Sequence, residues 1–257
     1  MALSLLQNLE PVGVGARSRA ECLSLQLKAL QAAGAGDAHP CHAALAMCKQ
    51  PVDLLARRDV NRLAPPKTGT LPYRVLDMAG GTGDIAERIL NASVGYAEVT
   101  VSDINSDMLR VGAERAKNWR FGGQAQFVEA IAEALPFADA SFDVVVSTFG
   151  VMFTPDQDRA AAELARVCKP GGKIGLANWT PEGFIGQLFK NIGKYVPPAP
   201  GVKSPALWGT KARLDALFGT HATVASESRH FAFRYKSPRH MLEIFRGYYG
   251  PVLKSLA

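Results

Sequence analysis

Residues 73–84 read YRVLDMAGGTGD, and this stretch decides the fold. Its apolar first half, Tyr73–Ala79, is typical of a buried parallel strand, and a helix is predicted to begin at Asp84. The glycine turn between them carries no bulky side chain, so its backbone can approach a ligand closely. Asp103 closes the next predicted strand, where a carboxylate can accept hydrogen bonds from both hydroxyls of a ribose. The pattern predicts an adenosine-containing ligand on an α/β fold.

The acidic residue before the glycines separates two classes of adenosine ligand. Gly81–Ala86 fits the G-x-G-x-x-G/A dinucleotide pattern, and Asp103 lies 20 residues after Gly83, as expected for NAD. Asp77, however, would repel a pyrophosphate, whereas it suits the cationic amino group of a methionine moiety. S-adenosyl-L-methionine (SAM) carries that ammonium group. The sequence therefore favours SAM as the cofactor, and an NAD-dependent oxidoreductase ranks below it.

Further motifs follow along the chain: ALPF at 134–137, SFDVVVS at 141–147 and KPGG at 169–172. Together with DMAGGTG at 77–83, they resemble the class I SAM-dependent methyltransferases over residues 73–179. Within that class, residues 74–118 are most similar to the ubiquinone/menaquinone biosynthesis C-methyltransferase family. From Ser141 onward, the chain is more similar to bacterial SAM-dependent methyltransferases of unassigned substrate.

The resemblance implies a cofactor site made of backbone and two carboxylates. Asp77 would face the methionine amino end and Asp103 the ribose. Ile104 and Met108 would cover the adenine, unless they are ordinary core residues. The predicted cofactor-binding residues are Asp77, Ala79, Gly80, Gly81, Gly83, Asp103, Ile104, Met108, Ala132 and Thr148.

Ile131 departs from the class at the adenine edge. The class commonly has an acid four residues before the LPF of this loop, where it accepts a hydrogen bond from adenine N6. Losing that bond costs about 1 kcal/mol, or several-fold in the dissociation constant. The Ala132 backbone and a shifted Glu133 are the alternative acceptors. The sequence therefore predicts weak SAM binding.

No catalytic base follows from the sequence. His230 and His240 are the titratable candidates near neutral pH in the C-terminal part, and surface positions are the alternative for both. Cys41, His42 and Cys48 do not match zinc spacing, so no metal is expected. The aromatic rim that follows the fourth and fifth strands suits a flat or lipidic acceptor, or else is plain packing: Phe149, Met152, Phe153 and Trp179.

The predicted fold is a Rossmann-like, doubly wound, mostly parallel sheet of six or seven strands. Helices cover both faces, and further helices precede the sheet. Residues 1–72 are expected to form a helical extension or lid, with a targeting segment at its start as the alternative. Residues 73–235 would form the SAM-binding domain and 236–257 a helical tail that stops early. Strands are predicted near 73–79, 97–102, 125–129, 142–148, 173–178 and within 222–235. Helices are predicted near 84–92, 106–117, 156–167 and 210–218, and over Ser237–Tyr248; Thr210 is the expected N-cap of the helix near 210–218, and KPGG at 169–172 is expected to stop the helix before it. In the extension, helices are predicted over Arg19–Ala33, Pro40–Cys48 and Val52–Leu63.

The composition of the chain limits the classes of partner that it is expected to bind. The chain of 257 residues has a formal charge of +6, and residues 203–257 carry nine basic and three acidic side chains. This surplus is either a solvated face or one that attracts an anionic partner. No dense Lys/Arg run with interleaved aromatic residues is present, so nucleic acid is disfavoured. No apolar run of about 18 residues predicts a membrane span, and the four cysteines predict no disulfide framework.

The sequence thus predicts a SAM-dependent methyltransferase acting on a small or lipidic acceptor, with C-methylation of a quinone precursor as the most specific hypothesis. A weak or inactive methyltransferase-fold protein that serves as a binding partner or scaffold is the alternative, motivated by Ile131 and the early C-terminus. Homo-oligomers and association with a membrane surface both stay open. The cytoplasm is the expected compartment, with the mitochondrial matrix or another organelle as the alternative.

Overall fold

The structure is a computed structural model that describes residues 72–248. Residues 72–227 belong to one compact unit and residues 228–248 to a second. The helices predicted over Arg19–Ala33, Pro40–Cys48 and Val52–Leu63 lie outside the described residues. The same holds for the cysteines and the histidine weighed above as metal ligands.

A parallel sheet forms the centre of the first unit. Its strands are β1 (Tyr73–Met78), β2 (Ala97–Asp103), β3 (Ala125–Glu129), β4 (Phe142–Thr148) and β5 (Cys168–Ala177). They lie in the order β3-β2-β1-β4-β5, and every neighbouring pair is parallel. The predicted α/β, Rossmann-like class is confirmed. Within residues 72–248 the sheet has five strands, where six or seven were expected for the whole sheet.

The sixth strand predicted within 222–235 is wrong, because no strand is formed there. The alternating apolar residues of His230–Tyr235 suggested a half-buried strand. In the structure the rings of Phe231 and Phe233 pack edge to face at 5.0 Å. A period of two places side chains on one side, but a strand also needs a neighbour with free backbone groups.

The helices largely follow the sequence signals. They are α1 (Asp84–Ala92), α2 (Ser106–Ala116), α3 (Gln157–Val167), α4 (Phe184–Ile192), α5 (Lys211–Phe218) and α6 (Pro238–Tyr248), with 3₁₀ turns at Gly122–Gln124, Val151–Phe153 and Pro205–Gly209. The predicted N-cap of α5 is confirmed, because the Thr210 hydroxyl accepts from the Arg213 amide. Helix α4 was not predicted. A Cβ at Gly186 would collide with the Thr180 carbonyl, so this glycine lets α4 pack against that backbone.

Strand β5 begins earlier than the predicted residue 173. The KPGG segment lies inside it, with Gly171 at φ 75°. Pairing with β4 jumps from Phe142↔Cys168 to Val144↔Lys173, so the extra residues form a bulge. The prediction that α3 ends at this segment is confirmed, since its last residue is Val167.

The strand order reverses between β1 and β4, and this reversal positions the site. From β1 the chain runs outward through α1, β2 and α2 to β3, and the core cluster joins α1 and α2 to one face of the sheet. It then returns to β4 on the other side of β1, and α3 leads to β5. Right-handed crossovers place α3 on the opposite face. Ligands of such sheets bind where the order reverses, at the carboxyl ends of the strands.

Candidate functional site

The glycine turn joins the carboxyl end of β1 to α1. Three of its residues have positive φ: Ala79 at 51°, Gly81 at 57° and Gly83 at 78°. The Gly80 amide donates to the Ser102 carbonyl at 3.0 Å, and the Gly83 amide donates to the Gly80 carbonyl at 3.0 Å. Left-handed backbone strains a residue that carries a Cβ. Ala79 is therefore the strained member of a turn that is tied to β2.

Asp77 is a buried carboxylate beneath this turn. Its residue is only 1% exposed, and neither carboxylate oxygen has a hydrogen-bond partner among residues 72–248. A Cβ added to Gly80 would lie 2.7 Å from the Asp77 Cγ, so only glycine fits above it. Burial raises the pKa of Asp77 to about 7, and the nearby Asp103 and Asp84 charges add to the rise. The Ala86 amide opposes it without reaching hydrogen-bond geometry.

Asp103, at the end of β2, faces the same turn. Its Oδ2 accepts from the Gly81 amide at 2.9 Å, and its Oδ1 accepts from the Asn105 amide at 2.9 Å. Burial raises the pKa of Asp103, while the amides of Asn105, Gly81 and Ile104 lower it. Each carboxylate oxygen keeps a second lone-pair direction for another donor. The structure thus brings the two acids predicted from the sequence to one turn.

The two predicted adenine contacts have different surroundings. Ile104 is 68% exposed, directly after Asp103. Met108 is buried on α2, and its amide donates to the Asn105 side chain that caps the helix. An apolar side chain standing in solvent beside Asp103 suits a stacking partner. Met108 lies on the packed side of α2.

The loop after β3 carries the remaining predicted adenine contacts. Ile131 is 53% exposed and forms an isolated bridge with Ala134. Ala132, between them, is half-buried. The Glu133 carboxylate accepts from the Asp156 amide at 3.4 Å, so it faces α3. The exposed apolar side chain of Ile131 therefore stands where the class commonly presents an acid.

Aromatic side chains border the carboxyl ends of β4 and β5. Phe149 has φ 56° and stacks on Trp179 with 4.2 Å between ring centroids. Its amide donates to the Ala177 carbonyl at 2.9 Å. Thr148, the predicted cofactor contact, pairs with Ala177 and is half-buried. Because Phe149 is bulky and held in the left-handed region, the surrounding contacts impose a strained backbone here.

Two buried polar atoms near this rim were missed by the sequence reasoning. Asn178 Oδ1 and Trp208 Nε1 have no hydrogen-bond partner within the described chain. The residues that follow them, Trp179 and Gly209, are in close contact: a Cβ at Gly209 would collide with the Trp179 carbonyl. An amide oxygen accepts and an indole N–H donates. The signal available beforehand was position: Asn178 directly follows the end of β5.

Residues 72–220, which carry the site elements described above, contain no histidine. His230 is exposed, and His240 accepts from the Lys236 amide through Nδ1 at 3.3 Å, both in the second unit. Within residues 72–248 no cluster of side chains could hold a metal ion. None of the helices in that range is long and apolar enough to cross a membrane.

A strained glycine turn, a buried acid before it and a second acid at the end of β2 define a class I SAM-dependent methyltransferase domain. The sequence profile of the ubiE/COQ5 methyltransferase family matches residues 52–184, which is more than half of the chain. The chain belongs to that family. The family assigns S-adenosyl-L-methionine as the cofactor, as predicted. A second profile, the core binding domain of the sigma-54 factor, matches residues 1–69.

The chain is also similar to individual proteins. An uncharacterized protein of Mycobacterium tuberculosis is 40% identical over 185 residues, which covers 71% of this chain and 66% of that protein. The chain thus spans somewhat less than two thirds of this relative. A ubiquinone/menaquinone biosynthesis C-methyltransferase of Rhizobium leguminosarum is 55% identical over 102 residues, 40% of each chain. A phosphoethanolamine N-methyltransferase of Haemonchus contortus, solved with SAM, shares the fold with TM-score 0.51 and 23% identity, over 65% of this chain and 36% of that one.

Proposed function

We propose that this chain transfers the methyl group of SAM to a small or lipidic acceptor that carries a hydroxylated aromatic ring. The observation that carries the proposal is the buried Asp77 carboxylate, which has no hydrogen-bond partner within residues 72–248. A buried charge without a partner is costly unless a ligand supplies one. The SAM ammonium group is such a partner, so the residues present fit the cofactor.

The cofactor residues divide by the part of SAM that they would hold. Asp77 would pair with the ammonium, and the Gly80–Gly83 backbone would lie against the ligand. Asp103 would accept hydrogen bonds from the ribose hydroxyls, and Ile104 would cover the adenine. The Ala132 backbone would reach the adenine edge. Met108 would support this surface from the core.

SAM, when bound, supplies a methyl group already activated by its sulfonium. The protein then has to align the acceptor and exclude water. Trp179, half-buried and stacked on the buried Phe149 ring at the end of β4 and β5, would offer an apolar face to a flat ring. Thr148 would border the methionine moiety beside them.

The buried polar atoms of Asn178 and Trp208 refine the acceptor. Asn178 Oδ1 would accept from an acceptor hydroxyl, and Trp208 Nε1 would donate to an oxygen of the same molecule. A buried acceptor or donor without a partner costs about 1–3 kcal/mol, which a matching ligand group recovers. A quinol precursor has both a flat ring and hydroxyls. The name of the Rhizobium relative supports this acceptor class, which would place the enzyme in the cytoplasm or at a membrane surface.

The test is methyl transfer from labelled SAM to benzoquinols with and without an isoprenoid tail, with S-adenosylhomocysteine measured as the second product. We expect turnover with a hydroxylated ring and none with its fully methoxylated counterpart. The Asn178→Ala variant is the matched control for the acceptor side. SAM binding without turnover of any quinol would refute the acceptor class and leave the cofactor site standing.

A second candidate function is a methyltransferase-fold protein that binds a protein partner and turns over slowly or not at all. Ile131 favours it, because an exposed isoleucine cannot accept a hydrogen bond from adenine N6. The similarity of residues 1–69 to the sigma-54 core binding domain also favours a protein-binding segment over a lid. Tight SAM binding together with turnover would exclude this candidate.

A further inference from the structure

Arg115 is a buried cation on α2 that the cofactor chemistry above does not use. Its residue is only 8% exposed. On the helix it follows Met108 by seven residues and Gly112 by three, and all three are buried. Arginine is rarely buried unless its guanidinium is paired. Its partners therefore indicate what the burial achieves.

The Arg115 guanidinium reaches the glycine turn of the cofactor site. Its Nη1 donates to the Thr82 carbonyl at 3.2 Å and to the Thr82 hydroxyl at 2.7 Å. Its Nη2 donates to Asp84 Oδ1 at 2.8 Å, and the Thr82 hydroxyl donates to Asp84 Oδ2 at 3.2 Å. Thr82 itself is 1% exposed. One guanidinium thus ties the turn to the start of α1.

The backbone of α2 runs against the same turn. A Cβ added to Gly112 would lie 3.2 Å from the carbonyl carbon of Thr82 and would collide with the Phe127 ring. The absence of a side chain at Gly112 lets α2 approach closely enough for Arg115 to reach around the turn. Glycine at 112 and arginine at 115 therefore act on the same peptide.

Asp84 also matters through its charge. Asp84 and Asp103 both act on the buried Asp77 carboxylate. Arg115 pairs with Asp84 and lies 3.9 Å from Glu87. Without Arg115, no cation at position 115 would offset the negative charge of Asp84. That charge raises the pKa of Asp77, and Asp77 has to be ionised to bind a cationic ligand group.

We propose that Arg115 is a positioning residue for SAM: it holds the Thr82 peptide and offsets the Asp84 charge, so that the glycine turn and Asp77 are arranged for the cofactor before it binds. This inference rests on the proposed function. Arg115 would act through Thr82 and Asp84 and not through a contact of its own with the cofactor. A site organised in advance loses less free energy on binding.

The test compares Arg115→Met and Arg115→Lys with Arg213→Met as the matched control. Arg213 is also largely buried and multiply bonded, to Gln157 Oε1 at 3.1 Å and Asp158 Oδ2 at 2.8 Å, but it contacts neither the turn nor Asp77. The measurements are the SAM dissociation constant by calorimetry and urea unfolding of each protein without ligand. Steady-state kinetics add the SAM KM and kcat for a turned-over acceptor.

We expect Arg115→Met to weaken SAM binding at least tenfold, and Arg115→Lys to lie between it and the wild type. A lysine keeps the charge but cannot donate to both residues in a fork. Arg213→Met should lose stability while binding SAM within twofold of the wild type. The SAM KM should rise more than kcat falls.

Equal SAM affinity of the wild type and Arg115→Lys or Arg115→Met would overturn the positioning role. Equal weakening by Arg213→Met would overturn it too, since general loss of stability would then explain the effect. If Arg115→Met does not fold, Arg115→Lys against the control decides alone. Failure of the wild type to bind SAM would instead overturn the proposed function, so the two failures are distinct.

Discussion

Replacing Asp77 by asparagine should stabilise the protein and abolish SAM binding. The carboxylate is buried with no hydrogen-bond partner among residues 72–248, and its pKa is raised from 3.8 to about 7. A raised carboxyl pKa contributes stability that is complete below the unfolded pKa and is lost as pH rises through the folded pKa. Stability of the ligand-free wild type should therefore fall between about pH 4 and pH 7.

The size of the effect follows from the shift. About three pKa units, at about 1.4 kcal/mol each, correspond to about 4 kcal/mol in full. Asparagine stays neutral at every pH, so the stability gap between Asp77→Asn and the wild type should widen by roughly 3 kcal/mol from pH 5 to pH 8. Urea unfolding followed by circular dichroism at both pH values measures this gap.

Asp107→Asn is the control for this experiment. Asp107 lies on the exposed side of α2, in a surface pair with Arg110, and its replacement should leave the gap unchanged. A stable Asp77→Asn protein that gives no heat with SAM would show that the lost binding is not caused by unfolding. A gap that does not depend on pH, or undiminished SAM binding by Asp77→Asn, would refute the reasoning.

Three further predictions concern affinity. SAM should bind the wild type about fifteenfold more tightly at pH 7 than at pH 5.5, because the fraction of Asp77 that is ionised rises over this range; calorimetry at the two pH values measures it. Ile131→Asp should tighten SAM binding about fivefold, because one hydrogen bond to adenine N6 contributes about 1 kcal/mol. Asn178→Ala should raise the acceptor KM about tenfold, through loss of a hydrogen bond in a buried site, and leave the SAM dissociation constant unchanged.

Each of these has a direct contradiction. If the SAM affinity of the wild type did not change with pH, Asp77 would not be the partner of the ammonium group. An Ile131→Asp protein that binds SAM no more tightly than Ile131→Leu, a control that cannot accept a hydrogen bond, would show that adenine N6 does not face this loop. If Asn178→Ala changed the dissociation constant of SAM, Asn178 would contact the cofactor and not the acceptor.

The centre of the fold was predictable because β1, β2 and β4 are rich in apolar and β-branched residues and end beside glycine or acid. Asp77 and Asp103 could be placed because each ends such a run beside the glycine turn. The cap of α5 followed from Thr210. These signals are local, and local signals can be read from one chain.

The errors arise where structure depends on distant contacts. Apolar and polar residues alternate within residues 222–235 as they do in a strand. A strand also needs a neighbouring strand to pair with, and the sequence pattern does not show whether one is available. Helix α4 was not predicted. The glycine at 186 is explained by its close contact with the Thr180 backbone, and that contact cannot be recognised from the sequence. Arg115 was missed although its position on the Met108 face signals burial, because its role depends on the turn 33 residues earlier.

The central claim is that SAM binds at the carboxyl ends of β1 and β2, between Asp77 and Asp103. The most direct measurement is isothermal titration of the purified wild type with SAM beside Asp103→Ala, each checked for folding by circular dichroism. The account predicts micromolar binding by the wild type and its loss in the folded Asp103→Ala variant. Absence of binding by the wild type, or equal binding by both proteins, would contradict it.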